Sequence, residues 1–146
     1  MARSERCFAT LLPEVAHRGR ALVQAAANVR LQLVAVSCQR DAAEQQRLYD
    51  QGRTAPGNKV TNALPGKSWH NHRRAFDVAI LKDGNATWPN DPWSWNTAGA
   101  RGQHLGLSWG GTWAKPDRPH FSYRPELSMS QAYAQWKRSP DGQGYA

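Results

Sequence analysis

The sequence predicts a single α+β domain, and three observations support this fold class. The chain has 146 residues, a length at which one hydrophobic core is usual. With 40% hydrophobic and 21% charged residues, its composition is that of a folded globular protein. Helix-like and strand-like spacings of apolar residues both occur, without an internal repeat or a low-complexity segment. We therefore expect one domain across residues 1–146, with one functional site.

Helical spacing of apolar residues predicts four helices. They cover residues 10–28, 41–51, 93–105 and 128–137. In the first helix Thr10 is placed to cap the amino terminus, and Pro13 falls in the first turn. In the second helix Asp41 and Glu44 have the spacing of a capping box, and Gly52 offers a stop.

Strand-like patterns occur at residues 31–37, 75–80 and 121–123. The middle strand is the most informative, because its large apolar residues alternate with Ala75, Asp77 and Ala79. Residues 52–67 hold too many Gly and Pro residues for anything but a long loop, and residues 82–92 are a turn-rich connection. One face of the middle strand thus belongs to the core, and the other carries a carboxylate between small neighbours.

The chain is strongly basic, with 19 Lys and Arg against 11 Asp and Glu and a net charge of +8. Such a charge favours anionic partners, which include nucleic acid, acidic lipid and acidic cell-wall polymers. The arginines are scattered and no basic, aromatic sheet face is evident, so a nucleic-acid-binding module is disfavoured. Solubility is an equally plain explanation of the charge.

The two cysteines, Cys7 and Cys38, match neither a CxxC metal site nor a disulfide-rich secreted domain. We expect two reduced thiols in a cytosolic protein. Residues 1–10 lack the apolar run of a secretory signal, and no stretch is long and apolar enough to span a membrane. These features predict a cytoplasmic location in the producing cell and no stable membrane insertion.

Three side chains of the right types for a metal site lie at or near predicted strands. Asp77 is in the middle of a strand, where an unpaired carboxylate is costly, and His70 precedes that strand. His120 follows a stretch stiffened by two prolines. Two histidines and one aspartate leave a fourth position for water, as a hydrolytic zinc site requires. Asp117 would sit near that water without being a ligand, provided the chain bends around Pro119.

A lone histidine near a strand end is more often structural than a metal ligand, so the residue types alone leave both interpretations open. We interpret His17 and His104 as structural or surface residues. His72 lies two residues from His70 and competes with it as a candidate ligand.

Spaced motifs across residues 8–123 resemble the LAS metallopeptidases. The matching segments are residues 36–57, 60–63, 68–77 (SWHNHRRAFD), 105–113 and 117–121 (DRPHF). This superfamily includes lysostaphin-type enzymes, D-alanyl-D-alanine carboxypeptidases and the hedgehog signalling domain. The resemblance is greatest to its phage endolysin branch, the L-alanyl-D-glutamate endopeptidases. It implies a small, mainly antiparallel sheet with helices packed on one side, and a zinc-dependent cut in the peptide part of peptidoglycan.

The resemblance also implies roles for individual residues. His70, Asp77 and His120 match the zinc ligands of the family, and Asp117 matches its general base and acid. Arg40 falls where the family has an arginine that steadies the substrate carbonyl oxygen as it becomes negative.

The resemblance also concerns four further positions. Gln45 and Ser68 match family positions near the substrate. Arg73 stands where the family usually has Gly, so we expect a differently shaped turn and an arginine that reaches substrate carboxylates. Cys38 also stands where a Gly is common.

Other functions compete with this interpretation. A D-alanyl-D-alanine carboxypeptidase or dipeptidase would use the same ligands on a different bond. A binding module could keep the fold with a structural zinc, although a structural site has no need of Asp117. The resemblance favours a monomeric phage lysin, held in the cytoplasm until the membrane is permeabilised and antimicrobial through its action on peptidoglycan.

Overall fold

The computed structural model describes residues 2–138. In this range the helices are α1 (Ala2–Phe8), α2 (Pro13–Ala27), α3 (Ala42–Asp50), α4 (Pro92–His104) and α5 (Met129–Arg138). The strands are β1 (Leu33–Ser37), β2 (Ala75–Lys82), β3 (Asn85–Thr87), β4 (Ser108–Trp109) and β5 (His120–Ser122). Two short 3₁₀ helices lie at Trp69–His72 and Gly110–Thr112. The predicted α+β class is confirmed.

The sheet is antiparallel throughout, and β2 is its central strand. The strand order is β1–β2–β5–β4, while β3 pairs with the last residues of β2. The register of β2 and β5 places Asp77 opposite His120. On the other side of β2, Asp77 pairs with Ser37 at the end of β1. Strand pairing therefore brings together two of the three predicted metal ligands.

Helices α1, α2 and α4 surround one hydrophobic core with the sheet. Phe76 and Phe121 stack with their ring centroids 5.8 Å apart, and both are fully buried. Helix α4 can approach them because Gly102 has no side chain to collide with the Phe121 ring. The opposite face of β2 contacts the 3₁₀ helix Trp69–His72, on which α5 packs. The core thus fixes β2, and the site lies on the other side of that strand.

The N-terminal segment differs from the prediction. Residues 2–8 form α1, for which no helix was predicted, and α2 begins at Pro13 rather than at residue 10. Thr10 does not cap α2: Leu12 is in the capping position in an extended conformation, and the Thr10 hydroxyl donates to Cys7 O. The reason is Pro13, because a residue before proline is driven out of the helical conformation.

The expectation of two reduced thiols is wrong. Cys7 at the end of α1 and Cys38 just after β1 form a disulfide, and the structure describes no other cysteine. They meet because α1 packs beside β1, where Ser4 Oγ accepts a hydrogen bond of 3.0 Å from Ala35 N. The two positions are 31 residues apart, so only tertiary packing could reveal their proximity.

The long loop predicted at residues 52–67 is confirmed, and it is well supported by hydrogen bonds. Arg53 Nη1 donates to the carbonyls of Tyr49 and Thr61, and Gln45 Nε2 donates to Ala63 O over 2.7 Å. Because these donors are side chains of α3 and the adjoining turn, the loop is held close to α3. None of the described helices has both the length and the apolar character that crossing a membrane would require.

Candidate metal centre

His70, Asp77 and His120 converge on one point beside β2. His70 Nε2 lies 3.3 Å from Asp77 Oδ2, and His120 Nδ1 lies 3.2 Å from Asp77 Oδ1. Ligand atoms of the three residues all lie within 4.8 Å of one another, close enough to share one ion. Both histidines are buried, while the side chain of Asp77 retains 24% of its exposure.

The orientation of His70 is set by a hydrogen bond on its far side. His70 Nδ1 lies 2.7 Å from Cys38 O, and a carbonyl oxygen can only accept a hydrogen bond. Neutral His70 therefore carries its proton on Nδ1 and directs the lone pair of Nε2 at Asp77 Oδ2. Two electron-rich atoms at that distance require a proton or a cation between them. The donor set, two imidazoles and one carboxylate, fits a zinc ion.

The charge state of Asp77 suits a metal ligand. Burial by itself raises the pKa of this carboxyl, but the adjacent His70 and His120 outweigh burial and hold the pKa below its ordinary value. Asp77 therefore stays ionised and contributes a negative charge to the group.

Local structure at residues 68–73 explains how His70 reaches this point. Ser68 caps the 3₁₀ helix Trp69–His72, and its Oγ accepts from His70 N over 3.3 Å. Arg73 ends the helix in the left-handed conformation, with φ of 58°. Glycine adopts a positive φ readily, which explains why glycine suits this position. Arg73 has the same left-handed backbone conformation that a glycine would adopt here.

Asp117 lies next to the group but outside it. His120 N donates to Asp117 O over 3.2 Å across a turn at Arg118 and Pro119, which confirms the predicted bend. Asp117 is exposed as a whole residue, yet partial desolvation of its carboxyl, and then the negative charge of Asp77, raise its pKa. It is not among the described residues that could share the ion. An acid of raised pKa beside an ion site is suited to move protons.

Arg40 and Gln45 form a pair at the edge of the site. Arg40 Nη1 donates to Gln45 Oε1 over 3.0 Å, and Gln45 is fully buried. Burial lowers the pKa of Arg40, and the charges of Asp77, Glu44 and Asp117 partly offset that effect. These charges place the guanidinium within electrostatic reach of both aspartates, where it can meet a developing negative charge.

Two residues singled out from the sequence lie elsewhere. The guanidinium of Arg73 donates to Thr10 O over 2.8 Å and to Leu11 O over 3.4 Å, so the structure does not bring it to the ligand group. His72 is fully buried, and its Nε2 lies 2.8 Å from Gly66 O in the long loop. It therefore contacts this loop and is not one of the candidate metal ligands. His17 and His104 are exposed and lie outside the ligand group, in agreement with their interpretation as surface residues.

Two residues near the site were missed from the sequence. Asn71 is buried and joins the His70 segment to Arg40, since its Nδ2 donates to Arg40 O over 2.9 Å. Trp113 is 42% exposed, and its ring centroid lies 5.0 Å from that of His120. A capping box with Asn at its last position was a readable signal for Asn71, whereas nothing in the sequence distinguished Trp113 from the other tryptophans.

A family model described as VanY, D-alanyl-D-alanine carboxypeptidase, matches residues 9–104 of the 146 in this chain. The chain belongs to the VanY family. The part matched to the VanY model includes His70 and Asp77 and ends before Asp117 and His120. Asp117 and His120 are placed at the site by its geometry alone.

Two named proteins resemble this VanY-family chain. It is 38% identical over 124 residues to the peptidoglycan L-alanyl-D-glutamate endopeptidase CwlK of Bacillus subtilis (strain 168), covering 79% of this chain and 74% of CwlK. Its fold is similar to the crystal structure of the Serratia marcescens L-Ala D-Glu endopeptidase ChiX, with a TM-score of 0.60 and 19% identity. That match covers 84% of this chain and 87% of ChiX.

Proposed function

We propose that this VanY-family chain is a zinc peptidase that hydrolyses the L-alanyl-D-glutamate bond of peptidoglycan. The observation that carries the proposal is the convergence of His70, Asp77 and His120, with Asp117 beside them and outside the ligand group. The names of CwlK and ChiX, both L-alanyl-D-glutamate endopeptidases, support the choice of bond.

In this proposal His70, Asp77 and His120 hold the metal. A bound zinc ion would supply Lewis-acid chemistry, polarising the scissile carbonyl and lowering the pKa of water. Asp117 accepts a proton from the attacking water and passes it to the leaving amine nitrogen as the C–N bond breaks. Its raised pKa makes the first transfer easier than for an ordinary carboxyl, because a carboxylate of higher pKa is a stronger base.

Arg40 has the second chemical role. Its guanidinium stabilises the substrate carbonyl oxygen as negative charge develops there, and donors of this kind commonly contribute about 10²–10³ in rate. The hydrogen bonds to Gln45 and Ser37 hold it in place, so it needs little reorganisation during the reaction. Ser68 supports the site through its hydrogen bond to His70 N.

A groove next to Asp117 offers a binding place for the peptide. It has a volume of about 800 Å³ and runs between the long loop and the segment that carries Asp117. Three large apolar side chains exposed along it are Val60, Leu64 and Trp113, while Lys67 and Lys115 are its cations. Such a lining suits an extended peptide that combines methyl groups with carboxylates.

The test replaces Asp117 with Ala and measures zinc content together with muropeptide cleavage. We expect full zinc content and a loss of activity of at least about 10², because a general base is removed and no ligand is lost. Glu5→Ala is a control with the same charge change at an exposed residue in α1, and it should cleave normally. Cleavage at the wild-type rate by Asp117→Ala would remove this residue from the mechanism.

A second candidate is a D-alanyl-D-alanine carboxypeptidase, which the description of the family model favours. Mass spectrometry of digested muropeptides separates the two activities. New fragments with L-alanine at their carboxyl end indicate the endopeptidase, and released D-alanine indicates the carboxypeptidase. A chelator should abolish either product.

The biological setting that we propose is that of a phage endolysin. In it, the chain acts as one monomeric catalytic domain that is stored in the cytoplasm. It reaches the cell wall after the membrane is permeabilised, where its +8 charge favours the anionic envelope. The same action on peptidoglycan would make the added protein antimicrobial.

A further inference from the structure

The carbonyl that orients His70 belongs to one half of the disulfide. His70 Nδ1 lies 2.7 Å from the backbone oxygen of Cys38, and Cys38 is bonded to Cys7. Hydrogen-bond partners of this kind fix the tautomer and ring direction of metal-binding histidines. The position of the Cys38 backbone therefore decides how His70 faces Asp77.

The Cys38 backbone lies beyond the regular part of the sheet. The pairing of β1 with β2 shifts register between Ala35 and Ser37, and Ser37 is its last paired residue. Cys38 and Gln39 are tied instead to the N-terminal segment, through the disulfide and through the hydrogen bond of 3.1 Å from Gln39 N to Thr10 Oγ1, and Arg40 N then donates to His70 O over 3.0 Å. Without the disulfide, the carbonyl that faces His70 loses its covalent anchor.

The same N-terminal segment also holds Arg73, which lies three residues after His70 in the sequence. Arg73 Nε donates to Thr10 O over 2.8 Å, and Leu12 N donates to Arg73 O over 3.1 Å. Helix α1, which has only seven residues, is itself joined to the sheet by the disulfide. The disulfide therefore steadies both segments that frame His70.

We infer that the Cys7–Cys38 disulfide is a positioning element for His70, and that its reduction weakens metal binding by His70, Asp77 and His120. The inference rests on the metal-binding part of the proposed function and not on which peptide bond is cut. A dithiol supplies the two electrons: one thiolate attacks a cystine sulfur to give a mixed disulfide, and its second thiol then closes a ring. The S–S bond breaks, Cys7 and Cys38 become thiols, and the dithiol leaves as a cyclic disulfide.

A dithiol can reach the disulfide from the side of Cys7, which is half-buried, whereas Cys38 is only 5% exposed. A surface cavity of about 520 Å³ is lined by Cys7 and Cys38 together with Arg3, Arg6 and Arg40. Its cationic side chains attract a thiolate. Arg40 lines this cavity and also belongs to the candidate site, so one residue contributes to the surroundings of both the disulfide and the site.

The experiment compares zinc affinity in oxidised wild-type protein and in Cys7→Ser, by competition with a chromophoric chelator. We expect Cys7→Ser to bind zinc at least about tenfold more weakly, the usual effect of losing a partner of a ligand histidine. Ser4→Ala is the matched control, since it removes a hydrogen bond between α1 and β1 but keeps the disulfide. Equal affinities of Cys7→Ser and the wild type would overturn the inference, as would an equal weakening in Ser4→Ala.

A second measurement does not depend on the folding of a variant. Metal-free wild-type protein labelled with ¹⁵N-histidine is treated with a dithiol, and thiol formation is followed by mass spectrometry. Oxidised protein should show a hydrogen-bonded proton on His70 Nδ1, and in reduced protein this hydrogen bond to Cys38 O should weaken. An unchanged Nδ1–H signal in fully reduced, folded protein contradicts the inference.

Neither measurement requires peptide cleavage. Zinc binding that depends on the disulfide in a protein that cuts no muropeptide would therefore support this inference and reject the proposed function. Muropeptide cleavage by a protein whose zinc affinity does not depend on the disulfide would support the proposed function and reject this inference.

Discussion

Asn71 is the residue that ties the metal centre to Arg40. Its Oδ1 accepts from Gly66 N over 3.0 Å and from Ser68 N over 3.2 Å, while its Nδ2 donates to Arg40 O over 2.9 Å. The residue is only 1% exposed, so water cannot easily replace these bonds. Loss of the amide would leave buried backbone groups without partners, which is costly.

Asn71→Ala should lower the free energy of unfolding by about 2–4 kcal/mol, because several buried groups lose a partner at once. Urea denaturation followed by circular dichroism measures the change. Asn85→Ala is the matched control, since Asn85 is exposed in β3 and its side chain makes a local contact with Asp83 O. Equal stability of the two variants would show that the Asn71 network contributes little.

For single residues, predictions from the sequence were right where the chemistry of a side chain allows few kinds of surroundings. A carboxylate in the middle of a strand needs a partner, and Asp77 indeed lies beside two imidazoles. The prediction failed for Arg73, whose hydrogen-bond partner Thr10 lies 63 residues away. A long, flexible side chain can reach many acceptors, and only the packing of α1 and α2 selects the carbonyls that it meets.

Among the structural elements, the turn from β4 to β5 controls where Asp117 and His120 lie. Asp117 N donates to Gly110 O over 2.9 Å, and a Cβ on Gly110 would collide with the Asp117 carbonyl. The same Cβ would lie 3.1 Å from His120 Cβ. Glycine is therefore needed here for close approach of two backbone segments.

Gly110→Ala should displace Asp117 and His120, and should lower both zinc affinity and peptide cleavage by at least about tenfold. Zinc competition and muropeptide assays measure the two effects. Gly84→Asn is the control, because Gly84 faces open space in a left-handed turn that Asn tolerates. A Gly110→Ala protein with normal zinc affinity would contradict the role of this close approach.

Long elements were easier to predict than short ones, although the three-residue strand β5 was also predicted, at residues 121–123. Helices α2, α3 and α4 and strand β2 span 8–15 residues and repeat their pattern often enough to be recognised. Strands β3 and β4 have only three and two residues, too few for alternation to be visible. Helix α1 has seven residues and buries only Ser4 and Phe8, so it shows no apolar stripe.

For the molecule as a whole, metal binding should be a source of stability. An ion that binds only the folded chain at about 100 times its dissociation constant adds about 2.7 kcal/mol. For a domain of this size that corresponds to a rise in Tm of roughly 5–10 °C. Thermal unfolding with a chelator and with added zinc measures it, and His70→Ala should show no such rise. A wild-type Tm that is independent of zinc would count against the ligand set.

At this scale the sequence predicted one α+β domain and an antiparallel sheet, and the described residues confirm the class and the sheet. It did not predict that the N-terminal helix is covalently joined to the residue just after β1, beside the site. Cys7 and Cys38 matched neither a CxxC metal site nor a disulfide-rich secreted domain, and their pairing follows from three-dimensional packing.

The pairing of Asp77 with His120 links metal capture to correct folding. Side chains on a strand alternate between faces, so a slip of one residue between β2 and β5 would turn the carboxylate away from the imidazole. A chain trapped in that misaligned state could not load its ion and would be inert toward any substrate. The metal content of a protein sample therefore measures the fraction of molecules in which β2 and β5 have the native register.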